Sequence, residues 1–221
     1  MISEHAQSVA QTYRKRARHY DFTSSLYYLI GFRIEAYRRQ AIAALKLQPG
    51  DTVVDLGCGT GLNLPLFQKA IGPTGKIIAV DLTDAMLEQA RQRVEAHRWT
   101  NVELVPSDAA AFEFPDKVDG VFSSYALSLA TGLDQIIQRS SAALKPGKRC
   151  VILDLKAPGS LPRWLFPILL PIVRPFAVSE EVIERRPWDT IWQAMNQYLT
   201  NTVLEQRYWG FAFIARGEPA G

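Results

Sequence analysis

Short apolar runs alternate with amphipathic stretches along most of this chain. From Ser24 to Lys46, Leu26, Ile30, Ile34, Tyr37, Ala41 and Leu45 recur at helical spacing, and Pro49 and Gly50 close the segment. Thr52 to Leu56 is a β-branched run that predicts a strand. A glycine-dense turn follows, and Leu62 to Ile71 then predicts a helix that tolerates Pro65 in its first turn. The pattern repeats with strand Lys76 to Leu82 and helix Asp84 to His97, where Thr83 is the expected cap and Asp84 lies near the positive end. Next come strands Asn101 to Val105 and Val118 to Ser123, helix Leu133 to Leu144, the turn KPGK and strand Arg149 to Leu155. A helix from Trp188 to Tyr198 precedes two polar and aromatic runs, Asn201 to Arg207 and Tyr208 to Arg216, which predict an antiparallel edge hairpin.

Strands alternating with helices predict an α/β fold with a doubly wound, mostly parallel, seven-stranded sheet. Within one expected domain of 221 residues we distinguish four parts: a helical N-terminal cover (1–46), a core (47–155), an insert (156–200) and a C-terminal hairpin (201–221). The apolar content of 48% and charged content of 21% are those of an ordinary globule. Net charge is only +3, yet residues 1–46 hold eight Lys or Arg against three acids while the remainder holds 17 against 19. The basic excess is therefore N-terminal, clustered in YRKRARHY (Tyr13 to Tyr20), and suits either phosphate groups or a solvated helix face.

Cys58 and Cys150 have no partner at metal or redox spacing, and His5, His19 and His97 form no cluster with acids, so no metal and no disulfide are expected. The N-terminal MISEHAQSVA lacks the apolar centre of a signal peptide, which predicts a cytoplasmic protein. In the insert Leu161 to Phe176 the apolar residues Trp164, Leu165, Phe166, Ile168, Leu169, Leu170, Ile172 and Val173 lie between Arg163 and Arg174. It is broken by Pro167 and Pro171 and falls short of the roughly 18 apolar residues of a membrane span. It fits a buried lid or a peripheral membrane contact.

The chemistry concentrates in VVDLGCGTGLNLP, Val53 to Pro65. A dinucleotide fingerprint places its third glycine three residues after the second, where this chain has Leu62, and no Tyr-x-x-x-Lys pair follows. The spacing Gly57, Gly59, Gly61 after Asp55 resembles the first motif of class I S-adenosylmethionine (SAM) dependent methyltransferases, a Rossmann-like family. The resemblance implies that Asp55, Gly57, Cys58, Gly59 and Gly61 form the cofactor turn. It also implies that Asp81, beside Leu82, accepts both ribose hydroxyls, that Asp108 and Ala109 meet the adenine, and that Ser124 closes the site after the fourth strand. SAM is then the methyl donor and S-adenosylhomocysteine the product.

Within that family, Tyr20-Asp21 followed by a long helix with Gly31, Arg33, Arg38 and Arg39 resembles two groups, the soluble bacterial phosphatidylethanolamine N-methyltransferases and the ubiquinone or menaquinone ring C-methyltransferases. GTGLNLPLF inclines towards the first, so the expected acceptor is a lipophilic or amphiphilic small molecule, a phospholipid amine ahead of a quinone ring or a soluble metabolite, reached with peripheral membrane contact. Alignment of acceptor, methyl and sulfur is the main catalytic demand. Tyr20, His19 and Tyr125 are the candidates for proton transfer, and Asp119 is assigned a structural place. No nucleic-acid partner is expected, because SSYALSLA stands where base-modifying enzymes carry Asn/Asp-Pro-Pro-Tyr. A SAM-binding protein without turnover is the alternative from another class.

Overall fold

The computed structural model describes Gln11, Arg14, residues 31–157 and residues 184–220. Its elements are α1 (Ile34–Ala44), β1 (Thr52–Leu56), α2 (Leu64–Ile71), β2 (Lys76–Asp81), α3 (Asp84–Ala96), β3 (Val102–Pro106) and β4 (Val118–Ser124). They continue with α4 (Leu133–Ala143), β5 (Leu144–Leu155), α5 (Pro187–Tyr198), β6 (Leu199–Arg207) and β7 (Ala212–Pro219). One seven-stranded sheet runs in the order β3-β2-β1-β4-β5-β7-β6. Its first five strands are mutually parallel, and β7 is antiparallel to both β5 and β6. The hairpin thus adds β7 inside the sheet and leaves β6 as its edge.

Central strands read as nearly continuous apolar runs because both faces are covered, as parallel sheets require. Val53, Phe122, Val151 and Ile214 pack under α1 and α2 with Phe67, Ile42 and Leu64. Val54, Val121, Ile152 and Phe213 pack on the other face with Ile136, Ile137, Ile191 and Met195 of α4 and α5. Phe67 and Phe122 meet edge to face with ring centroids 5.4 Å apart. The KPGK stretch lies within β5: Val118 pairs Leu144, and the ladder resumes with Gly120 opposite Arg149, so the turn residues form a bulge between two paired stretches.

Two expectations need adjusting. Thr83 occupies the cap position of α3 but makes no capping bond, because its amide and hydroxyl are turned to the Asp81 carboxylate. The Leu62 to Ile71 helix begins at Leu64, with Pro65 in its first turn as expected. Asp119 lies at the opposite end of the sheet from the glycine turn and accepts from Thr52 N (3.0 Å) and Lys145 (2.8 Å), a structural place. Arg14 pairs with Asp84 at the start of α3 (2.8 Å), both exposed. The insert Leu161 to Phe176 lies outside the described residues, and among those no helix is long and apolar enough to cross a membrane.

Strand alternation also seals in two carboxyls, one on each face. Asp154 accepts from the amide and hydroxyl of Ser128, both at 2.8 Å, which ties the short turn Leu127–Leu129 to β5. Burial pushes Asp154 up to about 6 against those bonds. It pushes Asp55 up to about 7, opposed by the Asn63 hydrogen bond and the Arg38 charge. Unfolded aspartates titrate near about 4, so between there and neutrality the folded chain holds more protons than the unfolded one. The stability contributed by the neutral carboxyls is complete below about pH 4 and is lost as pH rises through the folded values, by up to about 1.4 kcal/mol per group and pH unit. Urea unfolding should therefore give a lower midpoint at about pH 7 than at about pH 5; a higher midpoint at neutrality would show that these groups are not buried as described.

Candidate active site

A cleft of about 940 Å3, counted with its open mouth, lies at the carboxyl ends of β1, β2, β3 and β4. Ligands of open α/β sheets bind at such ends. Its floor is the glycine turn, clamped to β2 by the Gly57 and Cys58 amides, which donate to the Val80 carbonyl at 2.8 and 2.9 Å. At Gly57, φ is +70° and a Cβ would stand 2.3 Å from Cβ of Ala126, so no side chain fits. At Gly59, φ is +57° and a Cβ would meet nothing within 4 Å, which leaves its backbone open to a ligand.

Asp81 ends β2 and lines the cleft. One carboxylate oxygen accepts from Gly59 N and the other from Thr83 N, both at 2.8 Å. Burial raises its pKa and these amide bonds lower it again, the burial effect being larger. Each oxygen keeps lone-pair capacity, so the group is preset to accept from two adjacent hydroxyls. Asp108 and Ala109 form the wall beyond β3, with Asp108 Oδ1 accepting from Ala110 N at 3.0 Å. Leu82 completes that side. Cys58 lines the floor, and burial, followed by the charges of Asp81 and Asp55, holds its thiol well above the ordinary range, so it is a neutral wall and not a nucleophile.

The opposite wall carries a cation. Arg38, on α1, is 6% exposed and lines the cleft. Its NH1 donates to Asn63 Oδ1 (2.8 Å) and Ser124 Oγ (2.9 Å), and its guanidinium lies 5.2 Å from the centroid of the Tyr125 ring. Its Nε is buried with no hydrogen-bond partner among the described residues. Asn63 Nδ2 in turn donates to both carboxylate oxygens of Asp55, at 3.3 and 3.0 Å. Tyr125 is buried with φ +56°, an uncommon backbone state for a bulky residue and one that clusters at functional sites.

The cleft therefore gathers Gly57, Cys58, Gly59, Asp81, Leu82, Asp108, Ala109, Ser124 and Tyr125 of the expected residues. Asp55 and Gly61 of that set do not line it. Period-two alternation sends the Asp55 side chain onto the α1/α2 face, where it holds Asn63 in place. Tyr20 and His19 lie outside the described residues. Arg38 and Asn63 were not singled out as site residues from the sequence. The available signal was that Arg38 falls inside the otherwise apolar stripe of Ile34, Ala41 and Leu45. Among the described residues no cluster of His, Cys, Asp or Glu suits a metal ion.

The family described as a methyltransferase domain matches residues 53–147. The chain is 29% identical to a demethylmenaquinone methyltransferase of Symbiobacterium thermophilum, over 96% of this chain and 86% of that protein. It is 31% identical to the ubiquinone/menaquinone biosynthesis C-methyltransferase UbiE of Ectopseudomonas mendocina, over 72% of this chain and 62% of that protein, and so spans less than two thirds of the latter's length. A SAM dependent methyltransferase structure from Aquifex aeolicus shares the fold with a TM-score of 0.59 at 20% identity, over 81% of this chain and 88% of that one. A glycine turn clamped to β2, a preset acid at the end of that strand and these matches lead to one assignment: the chain belongs to the class I SAM-dependent methyltransferases.

Proposed function

We propose that the chain methylates a ring carbon of a prenylated hydroquinone, with a cofactor half of the cleft at Asp81 and Asp108 and an acceptor half at Tyr125 and the Leu127–Ala130 wall. The observation that carries the cofactor half is that Asp81, fixed by two amides, and the cation Arg38 line the same cleft. The ribose hydroxyls suit Asp81, the adenine suits Asp108 and the Ala109 amide, and the methionine carboxylate suits Arg38. When bound, SAM supplies an electrophilic methyl group on a sulfonium that becomes neutral on transfer. Gly57, Gly59, Cys58, Leu82 and Ser124 supply close walls that hold the reacting geometry. Leu127, Leu129 and Ala130 exclude water from the acceptor side.

Choice of acceptor rests on one support. The resemblance to a demethylmenaquinone methyltransferase extends over 96% of the chain and so includes the parts outside the cofactor core. The quinone ring therefore replaces the phospholipid amine as the preferred acceptor. Tyr125 contacts the acceptor in this reading, while Tyr20 and His19 stay as candidates to accept the ring proton.

Calorimetry with SAM and with methylthioadenosine, which lacks the amino-acid carboxylate, separates the two cofactor contacts. Arg38→Gln should weaken SAM by about 10- to 100-fold and leave methylthioadenosine nearly unchanged, whereas Asp81→Ala should weaken both by about 2 to 3 kcal/mol. Equal losses of both ligands on Arg38→Gln would mean that Arg38 only supports the fold. With labelled SAM, label is expected in demethylmenaquinol and not in phosphatidylethanolamine; the reverse partition would refute the quinone assignment.

A further inference from the structure

Four aromatic rings run from the cleft to the surface. The Tyr125 ring, in the cleft wall, lies 6.4 Å from that of Phe32. Phe32 lies 4.9 Å from Tyr208, and Tyr208 lies 5.1 Å from Trp209. Phe32 and Tyr125 are buried, whereas Trp209 is 86% exposed. Tyr208–Gly210 is the short turn between β6 and β7, and φ is +47° at Tyr208, +52° at Trp209 and +89° at Gly210. Left-handed backbone at two successive bulky aromatics is strained, and here it holds an indole out in water.

Topology places this turn. Because β6 runs parallel to β5, the β6 carboxyl end at Arg207 lies on the same edge of the sheet as Leu155 of β5 and the mouth of the cleft, and both pair with Ala212. Two cations accompany it. Arg33 is exposed next to Phe32, and Lys156 is half-buried with its amide donating to the Phe211 carbonyl at 2.9 Å. Neither makes an ion pair with any described residue, whereas Arg207 is committed to Glu205 (2.6 Å) and Gln40 (2.9 Å). Among the described residues the exposed large hydrophobics are Trp209 and Val203, so the exposed apolar surface at this turn is one ring. A projecting indole with flanking cations suits the boundary of an anionic bilayer, where indoles sit at headgroup level and cations meet phosphate.

We propose that the Tyr208–Gly210 turn is a membrane-interface anchor: Trp209 enters the headgroup layer of an anionic bilayer, Arg33 and Lys156 face its phosphates, and the cleft mouth opens towards the surface. This rests on the lipophilic-acceptor reading for its purpose. The aromatic line marks the side from which such an acceptor reaches Tyr125 without crossing bulk water.

The test uses the full chain, without SAM or acceptor, on vesicles of phosphatidylcholine with and without phosphatidylglycerol. Wild type should cosediment with the anionic vesicles. Trp209→Ser should lower the partition coefficient about fivefold or more, and Arg33→Gln and Lys156→Gln about fivefold each. Each variant should bind SAM as wild type does, which shows that it is folded. Brominated lipid should quench more of the wild-type fluorescence than of the Trp209→Ser fluorescence. Unchanged partition of Trp209→Ser, or no binding of wild type to any vesicle, overturns the anchor. So does a dimer in sedimentation velocity that Trp209→Ser abolishes, because the ring would then face a second copy. Transfer to a quinol in detergent is measured separately: intact transfer without vesicle binding sinks only the anchor, and vesicle binding without transfer sinks only the acceptor reading.

Discussion

Burial of the Arg38 guanidinium is the constraint on which the cleft depends. A charge taken out of water is tolerated only when its donors and its field are answered by the protein. Here the answer comes from four elements: α1 carries the cation, Asn63 at the start of α2 and Ser124 at the end of β4 accept its NH1, and Asp55 of β1 orients Asn63 from below. The Tyr125 ring takes the remaining face. The helix that begins the described core is thereby locked to the two central strands at the point where the cofactor turn starts.

Side-chain alternation then divides the labour between the two faces of the sheet. Asp55 and Ser124 fall on the α1/α2 face and build the polar network, while Asp154 falls on the face of α4 and α5 and anchors the Leu127–Leu129 turn. Asp81, at the strand end, is held from both sides by backbone amides. The cleft thus holds charged groups fixed by hydrogen bonds on both walls, and its apolar part is carried by a short turn tied to one buried carboxyl. That asymmetry matches a reaction in which a highly polar donor must be fixed and a lipophilic acceptor must be shielded from water.

Much of this was legible in the sequence because it is local. Each strand before a helix was found from apolar runs and breaking residues, and Asp81, Asp108 and Gly57 were found from fixed spacing around the glycine turn. What escaped was non-local. Whether Asp55 faces the cleft depends on which helices cover which face of the sheet, and no spacing within VVDLG encodes that. Arg38 and Ser124 lie 86 residues apart, so their contact exists only in the fold. The Arg38 anomaly in an apolar stripe was visible, but its meaning required the partner across the sheet. Nor did the aromatic run Tyr208 to Phe213 announce that one ring would be expelled from the core, since the left-handed turn at Trp209 depends on how the hairpin closes over Phe32.

The central claim, that Asp81 and Arg38 are the two fixed poles of a SAM site, is tested most directly by the structure of the complex with S-adenosylhomocysteine. The account predicts both ribose hydroxyls on the Asp81 carboxylate, the adenine beside Asp108 and Ala109, and the amino-acid carboxylate within hydrogen-bond distance of the Arg38 guanidinium. A carboxylate turned to solvent, with Arg38 still enclosed by Asn63 and Ser124, would contradict it.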